Sequence, residues 1–177
     1  YNQRMLTKYR SSYIGFIFQD YHVLDSFTVR QNINLALDIA SIKDDEKVDE
    51  ILKVVDLTEY VDRYPTELSG GQKQRIAVAR ALVKDAKVIL CDEPTGNLDA
   101  DNARKAMELL SNKLNEMKGS SAIIVSHDMR LAIDFADVII KIKRCVSEKT
   151  DHYDDNTFYG LITDQSVYVP SNEERSI

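Results

Sequence analysis

The sequence predicts an α/β fold in which helices cover a parallel sheet and a helical lobe interrupts the body. Two observations indicate this architecture. From Val88 onward, short apolar runs alternate with amphipathic helical patterns, as they do in strand–helix–strand units. Between Tyr21 and Lys84 the pattern is almost wholly helical. We therefore expect a helical subdomain inserted into an α/β body.

The length and composition are those of one globular domain. The chain has 177 residues, of which 44% are hydrophobic and 29% are charged, and this composition excludes the disordered and collagen-like classes. No apolar run approaches the length of a membrane-spanning helix, and no leader peptide is recognisable. The two cysteines, Cys91 and Cys145, make no disulfide framework. We expect a reducing compartment, which is the cytosol.

The charge is unevenly distributed. The net charge is -6, and from Glu148 to the end seven acidic residues stand against two basic ones. We therefore expect a body over residues 1–147 and an acidic tail or linker over 148–177. The acidic balance and the scattered tyrosines argue against nucleic-acid binding. Because the chain begins with Tyr1 and soon enters a strand, we expect it to be a piece of a longer protein.

The first half of the chain predicts one strand and three helices. The β-branched and aromatic run from Ile14 to Phe18 indicates a strand. Thr28 and Gln31 have the spacing of a capping box and predict a helix to about Ile39. A charged helix over 44–55 carries one apolar stripe, and the capping-box spacing of Ser69 and Gln72 predicts a third helix to about Lys84.

The second half predicts the sheet. The apolar run from Val88 to Cys91 indicates a strand that is buried on both faces, and Ala122–Val125 indicates the next buried strand. Between them, a helix begins near Asp99. A short helix over about 129–136 leads to a third strand, Val138–Ile142. Residues 157–162 and 165–169 are either two further strands or part of a linker.

Polar groups directly follow two of the predicted strands. Asp92 and Glu93 end the first, and His127 follows the second. Because ligands of parallel sheets bind at the carboxyl ends of strands, these groups are expected at one sheet edge. Asp92 would hold Mg²⁺, Glu93 would face an attacking water, and His127 would orient or protonate a phosphoryl oxygen. The alternative is a surface loop after Glu93, with His127 capping a strand end.

A second candidate site lies where Ser69, Gly70, Gly71 and Gln72 open a helix. The helix terminus supplies backbone N–H groups and a positive dipole end, and the glycines carry no side chain to block an anion. This pattern predicts a phosphate site. The alternative is a plain capped helix whose glycines only make the preceding turn.

Taken together, these segments resemble the nucleotide-binding subunit of ATP-binding-cassette (ABC) transporters. The resemblance covers about residues 4–143, and five motifs occur in the family's order. They are the Q-loop (Ile14-Gly-Phe-Ile-Phe-Gln19), the signature (Leu68-Ser-Gly-Gly-Gln72), Walker B with its glutamate (Val88-Ile-Leu-Cys-Asp-Glu-Pro94), the D-loop (Asn97-Leu-Asp99) and the switch histidine (Ser126-His127-Asp128).

The resemblance implies a P-loop NTPase (RecA-like) core with an inserted helical subdomain. The partial ATPase domain would span 1–147, with the signature subdomain at 21–84 and part of the core at 85–147. It also implies that ATP and Mg²⁺ bind, with Glu93 and His127 catalytic and Asp92 and Gln19 at the metal. The nucleotide-binding set would be Gln19, Ser69, Gly70, Gly71, Gln72 and Asp99.

The resemblance further implies partners. Ser69 and Gly71 would contact the γ-phosphate of ATP held by a second nucleotide-binding domain in a head-to-tail dimer. A membrane permease subunit, or a fused membrane domain, would dock near Gln19 and keep the protein at the cytoplasmic face of the membrane. Within the family, the chain most resembles ATPases of lipoprotein release, macrolide export, antimicrobial-peptide resistance and cell division, and the transported substrate is left open.

Two departures from the family pattern affect the expected activity. The sequence contains no Gly-x-x-x-x-Gly-Lys-Ser/Thr loop, so the Walker A phosphate cradle is absent. Lys143-Arg144-Cys145 stands where an Asp-Gly type of turn is expected. We therefore expect that this chain alone does not hydrolyse ATP. The alternatives are an ATPase driving a non-transport membrane complex, such as a cell-division regulator, and a non-catalytic interaction module.

Overall fold

The computed structural model describes residues 2–145, 159–161 and 167–171. These residues fall into two compact units, of which the first ends at His127 and the second begins at Asp128. No helix in this part of the chain has the length and apolar character needed to cross a membrane.

The first unit contains a parallel sheet of three strands in the order β1-β2-β3. The strands are β1 (Ile14–Phe18), β2 (Val88–Asp92) and β3 (Ser121–Val125). The register aligns Phe18 with Asp92, and Asp92 with Val125. All three strands therefore end at the same edge, as the sequence predicts.

Five helices accompany this sheet in the first unit. They are α1 (Gln3–Tyr13), α2 (Val29–Ala40), α3 (Asp45–Val54), α4 (Gly70–Leu82) and α5 (Ala100–Glu116), with short 3₁₀ turns at Thr58–Tyr60 and Pro65–Glu67. Both predicted capping boxes form, at Thr28 with Gln31 and at Ser69 with Gln72. Asp44 and Asp99 cap α3 and α5.

Helix α1 was not expected from the sequence. Asn2 caps it through a hydrogen bond from the Arg4 N–H, and none of its residues is buried. Its larger apolar side chains, Met5, Tyr9 and Tyr13, are exposed, so α1 contributes none of them to the core. Lys84 ties its end to α4, since the Lys84 ammonium donates to the Ser11 carbonyl over 2.7 Å.

The hydrophobic core lies where α4 packs on β1 and on the helical lobe. Ile17, Ile76 and Ile89 are at most 1% exposed. Gly15 permits the close approach of helix and sheet, because a Cβ there would lie 2.8 Å from the Ala81 carbonyl oxygen and from Ile89. The entry into α2 is fixed by buried Asn32, whose side chain bonds the backbone of Leu24, Phe27 and Thr28.

The two faces of the sheet differ, and this corrects the prediction of strands buried on both sides. On β2, Ile89 and Cys91 are buried beneath α4, while Val88 and Leu90 are only half-buried. The prediction that β3 is buried is wrong, since Ile123 is 61% and Val125 59% exposed. An apolar run predicts a buried strand, but β3 is an edge strand and no described element covers the face that carries Ile123.

Among its described residues, the second unit contains α6 (Met129–Phe135) and four short strands. The strands are β4 (Ile139–Ile140), β5 (Lys143–Cys145), β6 (Tyr159–Leu161) and β7 (Val167–Tyr168). The predicted third parallel strand, Val138–Ile142, is wrong, because only two of its residues form a strand and they pair antiparallel with β7. The β5 strand pairs antiparallel with β6. An apolar run predicts that a strand forms, but it does not identify the strand with which it pairs.

Strands therefore form within 157–162 and 165–169, although they do not pair with each other. Most of the predicted tail, 148–177, lies outside the described residues.

Candidate active site

The candidate residues at the strand ends lie along one edge of the sheet. Gln19 follows β1, Asp92 is the last residue of β2, and His127 lies two residues beyond β3. The parallel register brings these three ends side by side. The carboxylates, the amide and the imidazole that are predicted from the sequence to be functional therefore lie along this edge.

Glu93 and His127 are in direct contact. The His127 Nδ1 lies 2.9 Å from Glu93 Oε2, and the contact requires the proton on Nδ1 whenever the carboxylate is ionised. The Glu93 side chain is 22% exposed and the imidazole 80%. The pair therefore presents its histidine to solvent and holds its carboxylate partly sheltered, so the prediction that the two groups meet is confirmed.

The backbone at Glu93 is unusual. Its φ of +45° lies in the left-handed region, which a residue with a side chain rarely adopts. Two hydrogen bonds hold it there, because the Glu93 N–H donates to the Val125 carbonyl over 2.9 Å and the Gly96 N–H donates to the Glu93 carbonyl over 3.1 Å. The carboxylate thus projects from a turn that its neighbours constrain.

Asp92 is exposed at the end of β2, and Gln19 is exposed beyond β1. Gln19 Nε2 lies against Gly96, where a Cβ would be only 3.1 Å away. Among the described residues, no group of three or more His, Cys, Asp or Glu side chains forms a metal site. One carboxylate beside one amide is nevertheless the partial oxygen set typical of Mg²⁺, whose other ligands are waters and substrate phosphates.

The start of α4 has the geometry of an anion site. The Ser69 hydroxyl accepts from the Gln72 N–H, and Gln72 Oε1 accepts from the Ser69 N–H over 2.8 Å. Gly70 and Gly71 are the first two residues of the helix, so their N–H groups lie in its open first turn. Gly70 and Gly71 belong to α4 itself and not to the preceding turn, while the capped helix of the alternative forms as well.

The two glycines also have packing roles that the sequence did not suggest. A Cβ on Gly70 would lie 3.1 Å from the Tyr21 hydroxyl, and a Cβ on Gly71 would lie 2.9 Å from Asn102 Oδ1. Any larger residue would displace one of these side chains. Gly70 and Gly71 therefore permit close packing against Tyr21 and Asn102, and their contact with an anion stays a prediction.

Asp99 is engaged as the N-cap of α5. Its carboxylate accepts from the backbone and the side-chain amide of Asn102, over 2.9 and 2.7 Å. The bond from the Asn102 backbone, with that from its side chain, lowers the pKa of Asp99 from its ordinary value. The residue is therefore an ionised cap facing solvent, and its contact with nucleotide stays a prediction.

Several contacts tie the segment after β1 to the other motifs. The Asn97 side chain donates to the Gln19 carbonyl over 3.0 Å, and the Tyr21 hydroxyl donates to the Asn97 carbonyl over 3.3 Å. The Arg80 guanidinium, on α4, donates to the His22 carbonyl. Burial, with a contribution from Asp20, raises the pKa of Tyr21 and keeps its hydroxyl a donor.

The contacts made by Tyr21, Asn97, Asn102 and Gln74 were not predicted from the sequence. Each of these residues acts through a contact with a distant segment, and neither spacing nor periodicity reveals such contacts. The one available signal was the type of residue at position 74, since a glutamine on the buried face of a helix needs a partner.

Comparison with known proteins gives a consistent result. The profile of the ABC transporter family matches residues 2–96. The chain is 38% identical over 135 residues to the ABC transporter ATP-binding protein YtrE of Bacillus subtilis (strain 168), covering 75% of this chain and 58% of that protein. It is 44% identical over 126 residues to the lipoprotein-releasing system ATP-binding protein LolD of Blochmanniella floridana, covering 70% and 53%.

The structural comparison agrees with these sequence matches. The dimeric structure of MJ0796, a bacterial ABC transporter cassette, matches with a TM-score of 0.69 and 37% identity. The match covers 79% of this chain and 62% of that cassette. A post-hydrolysis dimer of the same cassette, bound to ADP and Pi, matches with the same TM-score and 36% identity.

The chain thus spans between half and two thirds of the length of the proteins it matches. The matches confirm the predicted P-loop NTPase class of the fold. On its motifs, its family profile and its structure, the chain belongs to the ABC transporter family, among the ATP-binding subunits.

Proposed function

We propose that the chain is part of an ATP-hydrolysing subunit that powers an ABC-type membrane transporter. The proposed transport is export, or the extrusion of lipoproteins or peptides. The observation that carries this proposal is the contact between Glu93 and His127 at the sheet edge. The open first turn of α4 supports it, because an anion-binding helix terminus and a carboxylate paired with a histidine are then present on one chain.

In this proposal, Glu93 is the general base. Its carboxylate is partly sheltered and lies on a constrained turn, so it can accept a proton from a water held at the sheet edge. His127 donates its Nδ1 proton to Glu93 and leaves Nε2 directed away from that bond. When the ring is protonated on both nitrogens, Nε2 can donate a hydrogen bond to a phosphoryl oxygen while the Glu93 carboxylate fixes the orientation of the ring.

Asp92 and Gln19 are the proposed ligands of Mg²⁺. Both supply oxygen donors and both are accessible at the strand ends, which fits a cation that uses few protein ligands. When bound, the ion would neutralise charge on the phosphates. Asp92 lies one residue before Glu93, so the metal and the base would be placed by the same strand.

The start of α4 would bind the γ-phosphate of ATP held by a second nucleotide-binding domain. The N–H groups of Gly70 and Gly71 and the Ser69 hydroxyl would approach the phosphate, and Gln72 would support Ser69 through the capping box. Asp99 would lie at the interface of this head-to-tail dimer. The dimeric state of the similar cassette supports this arrangement.

The membrane partner would be a permease subunit or a fused membrane domain. The names of the similar proteins, a transporter ATP-binding protein and a lipoprotein-releasing ATP-binding protein, support this class of partner. The protein would then work at the cytoplasmic face of the membrane, held there by that partner.

The chain of 177 residues is proposed to be inactive by itself. Its sequence lacks the glycine-rich loop and lysine that stabilise the phosphates during transfer. ATP turnover by the purified chain would contradict this part of the proposal. A non-catalytic interaction module, favoured by the same missing loop, predicts instead that no partner or preceding segment restores turnover.

The test of the base uses a version of the protein preceded by a P-loop segment. Glu93→Gln is expected to leave ATP binding within about twofold and to reduce hydrolysis by roughly 100-fold or more, because the amide cannot accept the proton. The control is Glu108→Gln, the same change at an exposed site on α5. Retained turnover in Glu93→Gln would remove Glu93 from the role of base.

A further inference from the structure

The side chain of Gln74 connects the two halves of the proposed site. Gln74 lies on α4, one turn beyond the glycines that open the helix, and it is fully buried. Its amide nitrogen donates a hydrogen bond to the carbonyl of Pro94. Because that partner is a carbonyl and can only accept, the orientation of the amide is fixed by chemistry.

The remaining oxygen of this amide is unsatisfied. Gln74 Oε1 is buried and has no hydrogen-bond partner among the described residues. A buried polar atom without a partner costs stability, while the amide nitrogen of the same side chain satisfies the carbonyl of buried Pro94. The side chain thus joins α4 to the turn after Glu93 through a single donor.

Pro94 directly follows Glu93, whose backbone is in the left-handed region. Bonds within the sheet and the turn fix the N–H and the carbonyl of Glu93, and the Gln74 bond fixes the next carbonyl from the side of α4. A strained conformation persists only where its surroundings determine it fully. Gln74 thus provides the part of this constraint that comes from α4.

We propose that Gln74 is a positioning residue that sets the place of the Glu93 carboxylate according to the position of α4. This inference rests on the proposed function of Glu93. It adds a physical connection between Glu93 and the start of α4, which is proposed to bind an anion. A shift of α4 is transmitted through one side chain to the turn that carries Glu93. The amide is retained because it must donate to Pro94.

The first test needs no catalysis and uses the 177-residue chain. Gln74→Met keeps the length of the side chain and removes both the donor and the unsatisfied oxygen. Amide hydrogen exchange at Glu93 and Gly96 is expected to quicken by roughly tenfold or more, while the amides of α2 are unchanged. The control is Gln3→Met, the same change on exposed α1. Unchanged exchange at Glu93 and Gly96 would overturn the proposal.

The second test uses the version preceded by a P-loop segment. Gln74→Met is expected to lower kcat by roughly tenfold or more with KM within about twofold, because a misplaced base slows the chemistry and leaves binding intact. A purely structural role predicts instead a lower melting temperature with unchanged kcat. If Gln74→Met does not fold, Gln74→Leu, which is also apolar and lacks the donor, is measured in the same two ways.

The two tests separate the failure of this inference from failure of the proposed function. If the wild-type assembly shows no turnover, the function of Glu93 as a base fails while the exchange result still reports on the turn. If the assembly turns over and Gln74→Met matches it in kcat, the role of Gln74 fails and the proposed function stands.

Discussion

At the scale of single residues, Cys91 shows how burial changes chemistry. The side chain is 3% exposed on the face of β2 beneath α4, and burial raises the pKa of its thiol to about 12. In this environment Cys91 behaves as a small apolar group. The thiol stays neutral in the folded protein at every pH in ordinary use.

This shift predicts a pH dependence of stability. The unfolded thiol ionises near pH 9 and the folded thiol near pH 12, so the contribution of Cys91 is complete below pH 9 and is lost as the pH rises toward 12. We expect the stability advantage of the wild type over Cys91→Ala to shrink by about 1 to 1.5 kcal/mol between pH 8 and pH 10. Urea denaturation of both proteins measures it, and a constant difference would exclude the raised pKa.

At the scale of elements, the two capping boxes correctly predicted where α2 and α4 begin. Thr28 and Gln31 make reciprocal bonds with backbone N–H groups at the start of α2. We expect Thr28→Ala to lower the free energy of unfolding by about 1 kcal/mol, because the Gln31 N–H loses its partner. Urea denaturation checks this, with Thr58→Ala as the control at an exposed threonine that makes no cap. Equal losses in the two variants would contradict it.

The elements that the sequence predicted correctly share a local cause. A cap lies within three residues of its partner, and a helix stripe such as that of α3 lies on one element, so both are visible in a short window. The strand ends at Asp92 and His127 could be predicted to meet, because parallel strands end at one edge. The contact between Glu93 and His127 follows from that rule.

The features that were missed depend on distant contacts. The strand predicted over Val138–Ile142 pairs with β7, and nothing in its own residues identifies that partner. The exposure of Ile123 depends on which elements cover β3, which an apolar pattern does not reveal. The bond from Gln74 to Pro94 joins residues 20 positions apart on different elements. Contacts within one element can be predicted from the sequence. Contacts in which a side chain joins two distant elements cannot.

At the scale of the whole molecule, the sheet has one buried and one open face. Phe16 and Phe18 are 44% and 38% exposed, and Ile123 and Val125 lie on the same face two strands away. The opposite face, with Ile17 and Ile89, is covered by α4.

Because the two faces differ in burial, we expect the same substitution, Ile to Thr, to change stability little on the open face and strongly on the buried face. Ile123→Thr is expected to change the free energy of unfolding by less than about 0.5 kcal/mol and to reduce binding of a hydrophobic dye. Ile89→Thr, one strand away on the buried face, is expected to cost about 2 kcal/mol or more through lost packing and a buried hydroxyl. Urea denaturation and dye fluorescence measure both, and a large loss in Ile123→Thr would show that β3 is covered.

The pairing of β1 with β2 has a consequence for the order of folding. Ile14 pairs with Val88, so about 70 residues must be made before the first strand meets its neighbour. Closing so long a loop is slow relative to forming the helices inside it, which need only local contacts. During synthesis, β1 would therefore wait with Ile17 and its unpaired backbone edge uncovered until α4 and then β2 leave the ribosome. The nascent chain is most exposed to misassociation in that interval, and chaperone protection would matter most there.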